Sequence, residues 1–281
     1  SDEVIKDFLY WVLRTYEYQG FIKNSASGTS IMHTSPKNIK EYEFLLPPLP
    51  EQAAIAEVLS SLDVKIDLLH RQNSTIEKLA TLLFRQRFIE EENGWEEKGL
   101  DDIAEYLNGL PLQKYPIKGS DYLHVIKIRE LKQGYTDATD KCSRQLPEKY
   151  IIKNGDVLFS WSGSLEVIIW GKGEGALNQH LFKITSAKYP KWFYYLATKY
   201  HLLEFQTIAS DKATTMGHIQ RHHLSEAKIA VPPSSVLKEL DGIFSPLIDK
   251  IIKNNIQLES LQKLRNTLLP KLMNGTVKVS G

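Results

Sequence analysis

The sequence holds one cysteine, Cys142, almost no net charge and no long apolar run. A single cysteine excludes an internal disulfide and fits a reducing cytosol. No stretch of about 18 or more apolar residues occurs, so no membrane-spanning helix is expected. Ser1-Asp2-Glu3-Val4 lacks both the basic and the apolar region of a secretion signal. These absences together predict a cytoplasmic protein. The first residue is Ser rather than Met, which points to processing or to a fragment. A formal charge of +1 advertises no global basic field for nucleic acid. A basic face can still be balanced by acids elsewhere, so this excludes little. With 42% apolar and 25% charged residues, the 281-residue chain is an ordinary soluble composition with room for about two domains.

What is present is a repeat. Phe8-Leu9-Tyr10 returns 185 positions later as Phe193-Tyr194-Tyr195, Thr29-Ser30 as Thr214-Thr215, His33 as His218 and Pro47-Pro48 as Pro232-Pro233. Leu62, Lys65, Ile66, Gln72 and Leu83 return as Leu247, Lys250, Ile251, Gln257 and Leu268. A two-copy chain has pseudo-two-fold character and suits a target with two halves. Residues 95–192 have no counterpart in the first copy, so the first unit reads as the second half of a domain, from truncation or from fragmentation.

Both copies contain a long heptad seam. Ile55, Leu59, Leu62, Ile66, Leu69, Asn73, Ile76 and Leu83 alternate at spacings of four and three, and Pro50 opens the run favourably. A helix over about 51–90, roughly 60 Å long at 1.5 Å per residue, is predicted. Leu240, Phe244, Leu247, Ile251, Asn254, Leu258, Leu261 and Leu268 form the second seam. Ser234 or Ser235 is the expected N-cap. Pro246 is expected to kink or delay that helix, and Pro270 to end it. Each seam carries one asparagine, a residue that fixes register at a cost in stability. Asn73 can face Asn254 only if the helices run antiparallel, so an antiparallel coiled coil is predicted. The bland alternative is that each helix merely packs on its own domain.

Between the helices, Tyr122–Ile126, Val157–Phe159, Val167–Trp170 and Leu181–Ile184 are β-branched and aromatic runs bounded by Gly, Pro and Asn. They read as strands. A helical stretch follows at 192–205, and Lys228–Val231 reads as a last strand before Pro232-Pro233. The fold class is therefore α+β. The domains are 1–49 as a half domain, 50–92 as the first long helix, 93–233 as a complete domain and 234–281 as the second helix and tail.

Five segments then carry a resemblance. Leu45 to Ile55, with Pro47-Pro48 and Glu51-Gln52, resembles the junction of a target recognition domain and a long helix in specificity subunits of type I restriction-modification systems. Leu107 to Tyr115 resembles the glycine-bearing loop of such a domain, Gly155 to Ser164 its central motif and Leu177 to Leu181 the segment after it. Leu268 to Gly275 resembles the family's ending, whereas Pro232-Pro233-Ser234 lacks the Glu-Gln pair. The resemblance implies a non-catalytic subunit that reads half of a split double-stranded DNA site per recognition domain, with the helix pair as ruler. It implies methyltransferase subunits as partners, restriction-translocase subunits beside them, and S-adenosylmethionine, ATP and magnesium bound by those partners rather than by this chain. Self-association could complete the half domain.

For such a domain, phosphate contacts supply affinity and base edges supply specificity. Gly109 and Pro111 would shape a loop presenting Gln113 and Lys114, suited to adenine and guanine respectively. Lys127 and Arg129, alternating with Ile126 and Ile128, are expected on one face of a strand. Ser160, Ser162 and Ser164 flank Gly163, where small residues permit close approach to a phosphate or base. Trp161 is either part of that surface or core. Asn178, Gln179 and His180 are adjacent polar candidates, and Lys212, Thr214, Thr215 and His218 occupy a polar loop repeated at Ser27 to His33. Solvated side chains are the alternative for Gln113, Lys127 and Arg129.

Four rival readings compete. A nuclease would use Asp121, Glu130 and Lys132. A methyltransferase would use Gly171-Lys172-Gly173-Glu174-Gly175, but no Asn- or Asp-Pro-Pro tetrapeptide is present. His218, His222 and His223 would make a metal site, with no cysteine partners to help. A coiled-coil scaffold that binds only protein would need the helices alone.

Overall fold

The computed structural model describes residues 3–26, 33–91, 94–211 and 217–279. Lys212, Thr214, Thr215 and the Ser27 to Ser30 loop lie outside these described residues. The chain divides into two compact units, Ser1–His70 with Leu258–Gly281, and Arg71–Gln257.

In the first unit, three short helices precede a long one: α1 (Lys6–Val12), α2 (Tyr16–Ser25), α3 (Pro36–Lys40) and α4 (Leu49–Arg85). The Thr15 and Ser35 side chains cap α2 and α3 by accepting from Tyr18 N and Asn38 N. Gln52, 1% exposed, ties the entry to α4 together. Its amide nitrogen donates to the carbonyls of Glu3 (2.9 Å) and Pro47 (2.8 Å), and its Oε1 accepts from Ile5 N (2.8 Å). A buried amide with three partners is satisfied and directional, so it fixes how the prolines lead into the helix. Phe8, Trp11 and Val12 then bury against Ile55, Ala56 and Leu59, with Leu269 and Leu272 of α10 (Ser234–Met273).

The second unit is α+β. Strands β2 (Glu105–Asn108), β9 (Leu181–Thr185), β6 (Val157–Ser160) and β7 (Val167–Ile169) form an antiparallel sheet in the order β2-β9-β6-β7. A second sheet runs β4-β3-β8-β5, from β3 (Tyr122–Ile126), β4 (Lys141–Ser143), β5 (Ile151–Ile152) and β8 (Gly175–Leu177), with β3 and β8 parallel. A separate pair joins β1 (Glu96–Gly99) antiparallel to β10 (Lys228–Val231). The remaining helices are α5 (Leu100–Ile103), α6 (Ile128–Gln133), α7 (Lys191–Tyr200), α8 (Leu202–Asp211) and α9 (Arg221–Glu226). Phe159, Phe182, Trp192, Phe193, Tyr195 and Phe205 fill the main core beside Phe84, Phe88 and Phe244 of the long helices. Cys142 is fully buried, and burial pushes its thiol up to about 11, which leaves it unreactive.

Within each unit the long helices run antiparallel. In the first, Arg265 pairs with Asp63, while Ile66 and Leu69 pack against Leu258 and Leu261. In the second, Asn254 Nδ2 donates to Asn73 Oδ1 (2.8 Å), and Asn73 Nδ2 to Asn255 Oδ1 (2.7 Å). Only the middle of the seam is a narrow two-helix contact. Ile55 and Leu59 pack on α1, while Leu240, Phe244 and Ile251 belong to the second unit's core. Leu62, Ile76, Leu83, Leu247 and Leu268 are half-buried. Both expected modes of packing therefore occur, each over a different stretch. Asn254→Leu should remove one amide from the asparagine pair and leave Asn73 under-satisfied. A loss of about 1–2 kcal/mol in urea denaturation is expected.

Several expectations need correction. The first long helix runs from Leu49, and its last turn, Gln86–Glu90, is π-helical. Ser234 is already helical, so neither serine is the N-cap. Pro246 neither delays nor breaks α10, which runs through it from Ser234 to Met273 with the proline exposed. Pro270 does not end the helix either, since Asn274 N still bonds Pro270 O (3.0 Å). The stop is Gly275, whose φ of 74° supplies the left-handed residue common after a helix C-terminus. The 192–205 stretch is two helices, α7 and α8.

Candidate nucleic-acid interface

Four chain segments of the second unit meet at one end of the β2-β9-β6-β7 sheet. Leu110 N donates to Leu177 O (3.0 Å) and Gln179 N to Leu110 O (3.0 Å), joining the 108–114 turn to 177–181. Trp161 N reaches His180 O (3.3 Å), Gly163 N reaches Gly217 O (2.8 Å) and Ile219 N reaches Trp161 O (3.0 Å), adding 160–164 and 217–220. Gly109 permits the first junction, because a Cβ there would lie 2.2 Å from Asn178 O.

The polar candidates divide into braces and exposed groups. Ser160 is fully buried; its hydroxyl donates to Ser164 O (2.7 Å) and accepts from Glu166 N (2.8 Å). Asn178, 7% exposed, accepts from His180 N through Oδ1 (3.3 Å). Ser162, 3% exposed, sits 3.1 Å from His180 Nδ1. Gln179 Nε2 can only donate, so His180 Nε2 accepts from it (3.3 Å). That leaves the imidazole proton on Nδ1, donated to Ser162. Trp161 is half-buried against the core and donates from Nε1 to Asn108 Oδ1 (3.0 Å), so it serves as core and loop brace at once. Asn108 was not singled out as a site residue, although it lies inside the glycine-bearing motif. Gln113, Lys114, Gly163, Ser164 and His218 are exposed on the same loops. Gln113 and Lys114 stand on a 3₁₀ turn, Leu112–Lys114, anchored by buried Leu112.

Lys127 and Arg129 are not on a strand face. β3 ends at Ile126, and Lys127 caps α6, where Lys127 N donates to Glu130 Oε2 (3.1 Å). Lys127 pairs with Asp140, and Arg129 donates to Glu130 Oε1 (2.7 Å) and Ala138 O (2.9 Å). Lys132, on the same helix, reaches the interface instead, with Nζ 2.9 Å from both Ser164 Oγ and Glu166 Oε1. The hydrogen bond and charge of Lys127 hold the Asp140 carboxyl below its ordinary range. The folded state thus gains from Asp140 above the unfolded carboxylate pKa of about 4, and loses that gain as pH falls through the lower folded value. A carboxyl NMR titration should find Asp140 below an ordinary aspartate, and Lys127→Met should raise it.

The rival sites do not assemble. Glu130, 0% exposed, already accepts from Lys127 N, Arg129 and Thr139 Oγ1, so it offers nothing to a nuclease metal with Asp121. The Gly171–Gly175 loop leads into strand β8, not a helix, and Asn255 Nδ2 donates to Ile169 O beside it (2.9 Å). Gly171 is glycine because a Cβ would meet Asn255 at 2.3 Å. Among the described residues, His222, His223 and Glu226 come within 4.8 Å of one another, without His218. His223 Nδ1, however, accepts from Gln220 N (3.0 Å) and so its lone pair caps α9; in the neutral ring the proton sits on Nε2. Neither nitrogen is left to bind a metal.

No helix among the described residues is long and apolar enough to cross a membrane. The chain is 27% identical, over 99% of its length and 71% of the relative's, to the type I restriction enzyme MjaIX specificity subunit of Methanocaldococcus jannaschii. It is 24% identical to the type I restriction enzyme EcoBI specificity subunit of Escherichia coli, over 65% of this chain and 39% of that one. The crystal structure of the type I restriction-modification S subunit from M. genitalium shares the fold, with a TM-score of 0.59 at 20% identity over 96% of this chain and 73% of that one. Residues 1–78 and 92–262 match the family described as type I restriction modification DNA specificity domain, and the chain belongs to that family.

Proposed function

We propose that this chain is the non-catalytic sequence-reading subunit of a type I restriction-modification enzyme, and that the four-segment end of the second unit reads one half of a split double-stranded DNA site. The observation that carries this is the division of labour on the loops. Buried Ser160 and Asn178 hold the backbone and buried Ser162 holds the His180 ring, while Gln113, Lys114, Ser164 and His218 are left outward. Positioning by rigid loops with a few exposed polar groups is what base reading needs. Gln113 is assigned to a base edge and Lys114 to a phosphate or guanine. Gln179 and His180 stand behind them as mutually oriented readers. Residues 93–233 act as the complete recognition domain and 1–49 as part of another. The helix pair acts as spacer and as the dock for methyltransferase subunits, with restriction-translocase subunits beyond. S-adenosylmethionine, ATP and magnesium belong to those partners, and the complex works in the cytoplasm.

The test is selection from a randomised double-stranded DNA library by the chain with its methyltransferase partner. Gln113→Ala should relax preference at one base position. Lys114→Ala should weaken binding to all sequences and lower the salt slope by about 1. Unchanged preference with Gln113→Ala, or no selection by the unaltered complex, would sink the assignment.

A further inference from the structure

The repeat aligns Gln52 with Leu237, and the surroundings of the two differ in a consistent way. In the first unit the Gln52 amide nitrogen donates to both Glu3 O and Pro47 O, and its oxygen accepts from Ile5 N. Those three partners recur in the second unit as Lys188, Pro232 and Pro190. The flanking helices start at matching residues too, α1 and α7 at Lys6 and Lys191, α4 and α10 at Leu49 and Ser234. The carbonyls of Lys188 and Pro232 therefore remain, whereas Pro190 has no N–H to give. Leucine cannot bridge them, and among the described residues neither carbonyl oxygen takes a hydrogen bond. A cavity of about 390 Å³ lies here instead, lined by Trp95, Lys98, Lys188, Tyr189, Pro232 and Leu237. Gly94, Lys188 and Pro233 on its rim are exposed, so it is reached from outside.

We infer that this cavity is a binding site for the side-chain carboxamide of an asparagine or glutamine on a partner polypeptide. Two carbonyls call for two N–H donors from one group, which a primary amide, an ammonium or a guanidinium can supply. Lys98 and Lys188 stand in the wall, and Glu96 offsets only one of them, pairing with Lys98 at 3.0 Å. That excess of positive charge disfavours a cation. It suits an amide, whose oxygen can accept from Lys188 much as Gln52 accepts from Ile5 N. Trp95 and Tyr189 add apolar walls, against which a few polar contacts fix orientation. The ligand is part of a polypeptide because the amide that fills the matching place is itself carried on a backbone, and a bare amide makes too little contact in about 390 Å³. The site is independent of DNA reading, since none of its lining residues lies on the four loop segments.

Nuclear magnetic resonance of the full chain, read at the Trp95 indole N–H, tests the site with acetyl-Ala-Gln-Ala-methylamide as probe. The glutamine peptide should shift that resonance saturably at millimolar concentration and bind at least about fivefold tighter than propionamide. Peptides with glutamate, lysine or leucine in place of glutamine should leave it unmoved. Leu237→Gln installs an amide at the position matching Gln52, so it should abolish the shift and raise the thermal midpoint by about 2–4 °C. Leu237→Met, a volume-conserving change, should bind the peptide as the parent does. The site is overturned if the glutamine peptide shifts nothing, if a glutamate, lysine or leucine peptide shifts Trp95 as far, or if the Leu237→Gln chain still binds. Equal binding of propionamide would make the ligand a small amide, and a Trp95 shift that grows with chain concentration alone would make it a second copy. Either result overturns the partner assignment.

Discussion

Glu130→Ala should destabilise the second unit by about 3 kcal/mol, the low end of the range for breaking a buried charge pair. The carboxylate is 0% exposed and holds three groups at once: the amide of Lys127 just before α6, the Arg129 guanidinium and the Thr139 hydroxyl. Removing it leaves Lys127 N and Thr139 Oγ1 short of an acceptor in a closed site, which is the costly half of a lost hydrogen bond. Arg129 is 46% exposed at its side chain and can turn to water, which keeps the loss from the upper end. Glu130→Gln keeps the volume and one acceptor, so it should recover part of the loss. Urea denaturation followed by near-ultraviolet circular dichroism reads both. Equal stability of Glu130→Ala and the parent would mean that α6 does not depend on this carboxylate.

Glu130 also marks where the sequence could be read and where it could not. A seam repeated over four heptads predicts a long helix because few other arrangements place apolar residues at that spacing. Strands β3, β6, β7 and β9 were legible because their β-branched runs are bounded by Gly, Asn and Pro. Ile126-Lys127-Ile128-Arg129 misled for the opposite reason. Its alternation has the period of a strand, but the chain turns at Lys127 into a helix of six residues. The competing signal was present: Glu130 stands three residues after Lys127, and Gly134, with φ of 77°, closes the helix. In a segment this short the two periods cannot be separated without the tertiary contact that Glu130 makes.

The site was legible to a similar depth. Resemblance to the family's motifs pointed to the segments at 107–115, 160–164 and 178–180. It did not tell which polar side chains face inward, because Ser160 and Ser164 differ only in the backbone that surrounds them: one closes a turn, the other leaves it. Lys132 was reached only as part of a rival nuclease triplet, and its approach to Ser164 depends on α6 that the strand reading had replaced. Pro246 and Pro270 show the limit of local rules, since the packing of Leu240, Phe244 and Ile248 near the first, and of Leu269 and Leu272 near the second, outweighs one missing amide in each turn.

Gly109→Ala should have the largest effect on DNA binding for the smallest change in chemistry. A methyl group there would lie 2.2 Å from Asn178 O and 2.5 Å from Leu177 O. Both are backbone atoms of the neighbouring segment, so no side chain can swing aside. The 108–114 turn must retreat, which breaks Leu110 N to Leu177 O and Gln179 N to Leu110 O and loosens the Asn108 partner of Trp161. Overpacking against backbone belongs at the upper end of its range, about 3 kcal/mol. If the turn detaches without unfolding the unit, that energy appears as displaced Gln113 and Lys114 and a fall of about a hundredfold in DNA affinity. The loss should strike every sequence equally, because the whole surface proposed to read DNA shifts, whereas Gln113→Ala should alter preference at one position. Far-ultraviolet circular dichroism should stay close to the parent, since α4 and α10 hold most of the helical residues away from this loop. Wild-type affinity in Gly109→Ala would show that the convergence of 108–114 with 177–181 is not what positions the readers.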